Sequence, residues 1–351
     1  MTTMNSINRQ HPLYKEDVSR IVHMEGVEHL KGKRFLITGA TGLIGVFLID
    51  VLMQLNRAGA EIHVRAVGRS REKAAMRLGE YLDDHRFSFF EQDVYQSLMD
   101  VPACDYIIPL ASNTHPLAYS QYPIETIETN VKGAEQALQK AVECGATVLY
   151  PSSVEVYGNV RDAEAFDEEA TGMLNLANAR ACYTESKRLS EALCQSYIAE
   201  RQAKVKIVRL SRVFGPTMLM SDSKASSQFI RKALSGEDIV LKSSGEQLYS
   251  YTYVADAVGA LLYVLVNGEN GKAYNISNEY CNVRLKDFAS LCAEWAETRV
   301  VFDAPSEAEQ KGYSIAMNAV LDNSRLRNLG WQAEYTMKEA VNRTLTIMSE
   351  S

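Results

Sequence analysis

The chain has 351 residues and a formal net charge of −7, with 46% hydrophobic and 23% charged residues. This ordinary globular composition excludes a largely disordered chain, and the mild acidity excludes a surface built for nucleic acid or an anionic membrane. Six cysteines lie far apart without a C-x-x-C pair, which predicts reduced thiols in a cytoplasmic protein and no metal site. Residues 1–33 lack the apolar segment of a signal peptide, and no apolar run reaches the roughly 20 residues of a membrane span.

Short apolar segments alternate with helical periodicity through the first 210 residues. Strands are predicted at Arg34–Thr38, Ile62–Val67, Phe87–Phe90, Tyr106–Leu110, Thr147–Tyr150 and Lys206–Leu210. Helices are predicted over Leu43–Asn56, Glu72–Asp84, Pro123–Cys144 and Ala181–Arg201. The alternation predicts an α/β fold with a doubly wound parallel sheet, the Rossmann arrangement, over residues 33–210.

The pattern changes after Ser211. Helices are predicted near Gln228–Ser235, Asp256–Val266, Leu285–Ala296 and Lys338–Ile347, with strands at Ile239–Leu241 and Tyr251–Val254. This mixture predicts a smaller α+β lobe over residues 211–351 that binds substrate, with segments that can return to the Rossmann core. Residues 1–32 are predicted to form an arm outside the core.

A glycine turn follows the first predicted strand and opens the first long helix. Gly39 permits the sharp turn, Gly42 lets the backbone approach a pyrophosphate, and Gly45 lets the helix pack on the sheet. The helix N-terminus offers free N–H groups to the anion. The residues expected to contact the dinucleotide here are Gly39, Thr41, Gly42, Leu43, Ile44 and Gly45, together with Leu110 and Ala111 after the fourth strand.

The segment after the second strand bears on the choice between NAD and NADP. It carries Arg69 and no carboxylate, so either Arg69 meets a 2′-phosphate or the segment is a solvated basic loop. After the third strand, Asp93 and Val94 are candidates to contact the adenine, with helix capping as the alternative for Asp93.

A tyrosine and a lysine share one face of a predicted helix, and a serine ends the fifth strand. Tyr183 and Lys187 are four residues apart, so the ammonium is expected to lower the phenol pKa and let it exchange a proton with a hydroxyl. Ser153 lies at the carboxyl edge of the sheet, where it can bond the same substrate oxygen. Glu155, two residues on, is expected to point the same way in extended backbone.

Together these motifs resemble the extended short-chain dehydrogenases/reductases, mainly their nucleotide-sugar epimerase/dehydratase branch, from Lys33 onward. Further matching segments are Asn130–Gly133, Phe214–Pro216, Tyr253–Ala257 and Tyr274–Ile276. The resemblance implies that Tyr183 is the proton donor and acceptor, that Lys187 binds the nicotinamide ribose, and that Ser153 orients the reacting hydroxyl. It also implies that Asn130 holds the active-site helix, that Asn130 and Tyr183 contact the cofactor together with Lys187, that NAD(P) is tightly bound and regenerated on the enzyme, and that the protein is a homodimer.

The resemblance implies transient oxidation at C4 of a nucleotide sugar, and 4-epimerisation is the leading prediction. A 4,6-dehydratase of this family usually carries an acid where Val154 stands, which counts against dehydration. UDP-glucuronate decarboxylases carry a glutamate where Glu155 stands, so decarboxylation is the nearer alternative. A dinucleotide-binding sensor or scaffold without turnover is the alternative from another class.

Three family arginines are replaced, which concerns the grip on the substrate's diphosphate or carboxylate. Tyr249, Thr217 and Lys224 stand at those positions. Because arginine binds such groups through two parallel hydrogen bonds, its loss is not conservative. The candidates to replace it are Lys224, Arg231 and Lys242, each of which could equally be a solvated surface charge.

Overall fold

The computed structural model describes residues 7–114, 116–160, 163–303 and 318–350, without the side chains of residues 116–118. Its helices are α1 Pro12–Val22, α2 Leu43–Arg57, α3 Arg71–Leu78, α4 Pro116–Gln121, α5 Pro123–Cys144, α6 Ala181–Arg201, α7 Ala225–Leu234, α8 Val254–Asn267, α9 Leu285–Trp295, α10 Ser324–Leu329 and α11 Met337–Ser349. Its strands are β1 Arg34–Thr38, β2 His63–Gly68, β3 Phe87–Glu91, β4 Tyr106–Pro109, β5 Thr147–Ser153, β6 Lys204–Leu210, β7 Arg212–Phe214, β8 Ile239–Leu241, β9 Leu248–Tyr253, β10 Ala273–Ile276, β11 Asn282–Arg284 and β12 Val300–Phe302.

A seven-stranded parallel sheet dominates the described residues, in the order β10-β6-β5-β4-β1-β2-β3. Its central strands are buried on both faces because helices cover both, so Phe35, Leu36 and Ile37 of β1 have no exposed surface. The order changes direction between β1 and β4, and such a switch point is where open α/β sheets bind ligands. The predicted doubly wound fold is confirmed.

The chain after Ser211 contributes one strand to the large sheet and forms two small sheets. Strand β10 joins the large sheet beside β6, while β11-β9-β7 and β12-β8 form two small sheets. Strand β7 runs parallel to β9, with Arg212 opposite Tyr251. The chain after Ser211 therefore completes the sheet edge and also builds a separate layer next to it.

The first helix is part of the core. In α1, Tyr14, Val18 and Ile21 are buried, so the prediction of an arm outside the core is wrong. The buried carboxylate of Asp17 accepts hydrogen bonds from Tyr253, Tyr335 and Arg343 at 2.6–2.8 Å. Because an unpaired buried charge is costly, these three donors tie α1 to the C-terminal part.

The six cysteines are free thiols, five of them buried. None of the helices in the described ranges combines the length and apolar character needed to cross a bilayer.

Candidate active site

The glycine turn between β1 and α2 is a close backbone contact. Gly39 has φ +64°, and a Cβ there would lie 2.6 Å from the backbone nitrogen of Ala111. A Cβ on Gly45 would lie 2.6 Å from the carbonyl oxygen of Gly39. No larger residue fits either position without moving backbone, which is the tight turn and the close helix packing of a dinucleotide-binding turn.

Helix α2 presents its N-terminus at this turn. Gly42 precedes the helix, no side chain caps it, and its first turn holds no acidic residue. Thr41, Leu43 and Ile44 are half-buried beside the turn. The free N–H groups and the helix dipole fit an anionic phosphate, so these residues fit a dinucleotide.

Thr217, which stands at one of the three replaced arginine positions, packs inside the protein. Its side chain is fully buried, and its hydroxyl donates to the carbonyl of Leu43 at 2.8 Å. Thr217 therefore fastens the C-terminal part to the start of α2 and offers no positive charge to a substrate anion.

The polar groups of the segment after β2 bond to other residues of the protein. Arg69 is exposed and pairs with Glu125 of α5 at 3.1 Å, Ser70 caps α3, and the backbone N–H of Arg71 donates to Glu91. Arg69 thus lies near the predicted adenosine end with its charge partly neutralised. Its proposed contact with a 2′-phosphate stays a prediction.

Asp93 and Val94 follow β3 in a turn. No helix begins at Asp93, so the alternative of a helix cap is wrong. The Val94 side chain is buried, and a Cβ on Gly133 would lie 3.3 Å from it. Val94 thereby packs against α5 close to the end of β4, where Leu110 and Ala111 meet the glycine turn.

Tyr183 lies buried at the centre of a hydroxyl cluster. The hydroxyls of Ser153, at the end of β5, and of Ser112, which follows β4, are close enough to its phenol to favour the ionised form. Strands β4 and β5 are neighbours, so their carboxyl ends deliver both serines to one side-chain oxygen. Ser112 escaped the sequence analysis, although its place after an adjacent strand end was the available signal.

Asn130 connects this cluster to helix α6. Its Oδ1 accepts from Ser112 Oγ at 2.6 Å, and its Nδ2 donates to Ser186 Oγ at 2.8 Å. Ser186 lies on α6 between Tyr183 and Lys187. Both ends of the buried amide are therefore used to position the helix, and its predicted contact with the cofactor stays a prediction.

Lys187 lies buried beneath the site. Its Nζ donates to the carbonyl of Pro151 at 2.8 Å, and burial lowers its pKa to about 8. Burial raises the pKa of Tyr183, the nearby hydroxyls of Ser153 and Ser112 lower it, and the nearby charge of Glu155 raises it further. Desolvation of the phenol outweighs its polar neighbours in the protein alone, and the expected lowering of this pKa by Lys187 stays a prediction.

Glu155 lies beside the phenol but not in extended backbone. It is part of a short 3-10 turn, Val154–Tyr157, so the predicted extended geometry is wrong. Its charge nevertheless acts on Tyr183, and its Oε1 lies 3.5 Å from Nη2 of Arg212 on β7. The turn carries the carboxylate to the site in place of a strand.

The three predicted substitute cations differ in their surroundings. Arg231 donates to two loop carbonyls and Lys242 pairs with Asp303, so both stabilise structure away from the site. Lys224 lies 3.3 Å from Thr114 and 3.4 Å from Asp222, close to the loop after β4. Of the three, only Lys224 lies near the hydroxyl cluster.

A model of the NAD dependent epimerase/dehydratase family matches residues 35–277. The chain belongs to this family. It is 31% identical over 317 residues to UDP-glucuronic acid decarboxylase 1 of Xenopus tropicalis, covering 89% of this chain and 71% of the relative. Identity to UDP-glucuronic acid decarboxylase 6 of Arabidopsis thaliana is 30% over 311 residues, covering 88% and 86%.

Two solved structures show the fold of the family. UDP-glucose 4-epimerase of Thermotoga maritima aligns with TM-score 0.76 and 20% identity over 90% of this chain and 99% of that one. The dTDP-glucose 4,6-dehydratase DesIV of Streptomyces venezuelae, solved with NAD, aligns with TM-score 0.76 and 22% identity over 90% and 97%. The predicted family, fold and NAD(P)-dependent enzyme class are confirmed, while the curated relatives support the decarboxylase alternative better than the leading epimerase prediction.

Proposed function

We propose that the protein is an NAD(P)-dependent decarboxylase of a nucleotide-activated hexuronic acid, with UDP-glucuronate as the substrate. The observation that carries the proposal is the carboxylate of Glu155, in the turn directly after Ser153, 3.5 Å from the Arg212 guanidinium and close to the phenol of Tyr183. Glu155 stands where the family's decarboxylases carry glutamate, and the relatives' names give the same activity. Val154 is a buried apolar residue, and it offers no proton for the elimination of water that a dehydratase performs.

The turn from Gly39 to Gly45 and the N-terminus of α2 would hold the pyrophosphate, and Lys187 would hold the nicotinamide ribose. When bound, NAD(P) supplies the acceptor and later the donor of a hydride at sugar C4. Because the same hydride returns, we propose that the dinucleotide stays bound. Acid release and identification of the bound dinucleotide distinguishes NAD from NADP at Arg69.

The residues of the chain handle the protons. Tyr183 would accept the proton of the C4 hydroxyl as that carbon is oxidised, while Ser153 and Ser112 orient the oxygen. Burial raises the phenol pKa in the protein alone, so ionisation of Tyr183 depends on the positive charges that Lys187 and the oxidised dinucleotide bring to the site. The resulting C4 ketone makes the substrate a β-keto acid. The C5–C6 bond then breaks, carbon dioxide leaves, and the electron pair passes to the ketone oxygen as an enolate.

Two steps complete the reaction. A proton from solvent adds to C5 in place of the lost carboxylate, which restores the ketone. Reduction at C4 is then accompanied by transfer of the phenol proton of Tyr183 to O4. The net change is one carboxylate and one proton converted into one C–H bond and carbon dioxide.

The test incubates the cofactor-loaded protein with UDP-glucuronate and, as a matched substrate lacking the carboxylate, UDP-glucose. Products are identified by NMR and carbon dioxide is trapped. The proposal expects a UDP-pentose and an equal amount of carbon dioxide from UDP-glucuronate. A C4 epimer that keeps its carboxylate would establish epimerisation, and no product from either sugar would favour a sensor or scaffold.

We also propose that the protein is a cytoplasmic homodimer. Free thiols suit a reducing compartment. On α5, Ile124 and Ile127 are three residues apart and 73% and 43% exposed, and Leu189 on α6 is 53% exposed. Light scattering of the wild type should give twice the chain mass, and Ile124→Glu should shift it towards the monomer; a wild-type monomer would refute the dimer.

A further inference from the structure

The guanidinium of Arg212 is the one cation at the site with an unused buried donor among the described residues. Its side chain is 22% exposed, and its Nη1 is buried without a hydrogen-bond partner. A buried donor left without a partner destabilises the folded protein, because its hydrogen bond to water is lost and not replaced. A group kept in this state points to a ligand that completes it.

The surroundings hold the guanidinium in one orientation. Its Cζ lies 3.7 Å from the ring centre of Tyr249, and its Nη2 lies 3.5 Å from Oε1 of Glu155. Stacking on one face and pairing at one edge fix the plane of the group. The second edge, which carries Nη1, is the one left for a further anion.

Strand pairing explains why Arg212 can replace a cation missing from β9. Arg212 lies opposite Tyr251, and Tyr249 is two residues earlier on the same face of β9. Tyr249 stands where the family carries an arginine. The guanidinium therefore lies directly over the side chain that replaced that arginine, supplied from the neighbouring strand.

The same guanidinium lies close to the reacting phenol. Burial raises the pKa of the Tyr119 phenol, the nearby charge of Glu155 raises it further, and the nearby charge of Arg212 lowers it. The ring centre of Tyr119 is 5.4 Å from that of Tyr183. Glu155 also acts on Tyr183 itself. A ligand group on Nη1 would thus belong to the part of the substrate next to the phenol, which is the sugar.

We infer that Arg212 binds the C6 carboxylate of the hexuronate through Nη1 and so selects carboxylated sugars. This inference rests on the proposed function in taking a hexuronate as the ligand. The competing ligand with the same chemistry is the substrate's diphosphate, which all UDP-sugars share. The carboxylate is favoured because the guanidinium lies beside the residues of the hydroxyl cluster.

The experiment measures binding, so it does not depend on turnover. Calorimetry on cofactor-loaded protein compares UDP-glucuronate, UDP-glucose and UDP for wild type, Arg212→Gln, Arg212→Lys and the control Arg299→Gln, which removes an exposed guanidinium paired with Asp238. A charge-assisted hydrogen bond predicts that Arg212→Gln raises the Kd for UDP-glucuronate about 10- to 100-fold. The Kd values for UDP-glucose and UDP should change less than about threefold, and Arg212→Lys should restore part of the selectivity because it keeps the charge without the planar fork.

Three outcomes would overturn the inference: equal weakening of all three ligands, unchanged binding in Arg212→Gln, or the same loss of selectivity in the control Arg299→Gln. Equal weakening would assign the guanidinium to the diphosphate. If the wild type prefers UDP-glucuronate through Arg212 but releases no carbon dioxide, the proposed reaction fails and the assignment of Arg212 stands.

Discussion

The end of the site proposed to bind the dinucleotide (the nucleotide end) and the end proposed to bind the sugar (the sugar end) are built differently. At the nucleotide end, Gly39 and Gly45 lie so close to other backbone that only glycine fits. At the sugar end, Tyr249 replaces a family arginine, and Arg212 of the neighbouring strand, which stacks on Tyr249, would supply the cation. Backbone geometry fixes a residue type at its position, whereas a charge can come from any strand whose side chain reaches the same space.

Tyr183→Phe should have the largest effect on activity, because it removes the phenol that accepts and returns the substrate proton. Loss of general acid–base catalysis predicts a fall in kcat of about 10²- to 10⁴-fold. Steady-state assays with UDP-glucuronate measure it, with Tyr119→Phe as the control for loss of a neighbouring phenol. A fully active Tyr183→Phe protein would remove this residue from the chemistry.

Gly45→Ala tests the close backbone contact between Gly45 and Gly39 at the nucleotide end of the site. A Cβ at this position would lie 2.6 Å from Gly39 oxygen, and overpacking of this kind costs about 1–3 kcal/mol. The midpoint temperature of thermal unfolding and the amount of dinucleotide retained after purification should both fall. Gly79→Ala, where a Cβ has no neighbour within 4 Å, is the matched control and should retain the wild-type load.

The pH dependence of dinucleotide binding tests the role of Lys187. Its pKa is lowered to about 8, so the ammonium is present below this pH and is lost as the pH rises through it. Loss of a charged donor predicts that the affinity for the dinucleotide weakens by about tenfold or more between pH 7 and pH 9. Fluorescence titration should show this slope for the wild type and a weak, flat profile for Lys187→Met; equal slopes would assign the titration to another group.

Lys242→Ala should have the smallest effect. The exposed pair with Asp303 lies away from the hydroxyl cluster, and surface ion pairs contribute at most about 1 kcal/mol. The kcat and KM for UDP-glucuronate should stay within about twofold of wild type. A large rise in KM would return Lys242 to the substrate grip.

The sequence predicted correctly the helices whose periodicity and end signals lie within their own segments. Helices Pro123–Cys144 and Ala181–Arg201 match their predicted bounds, because their periodicity and ends are encoded within the segment. The pairing of Ser112 with Tyr183 and the stacking of Arg212 on Tyr249 join residues far apart in the chain, so no spacing revealed them. Helix α1 was misjudged for the same reason, since the partners of Asp17 come from distant segments.

The most direct test of transient oxidation at C4 uses UDP-glucuronate labelled with deuterium at C4 and ¹³C at C6, followed by NMR. The account predicts that the UDP-pentose keeps its deuterium at C4, since the hydride leaves and returns within one site, while the ¹³C appears as carbon dioxide. A UDP-pentose that has lost the deuterium, or a product that keeps both labels, would contradict it.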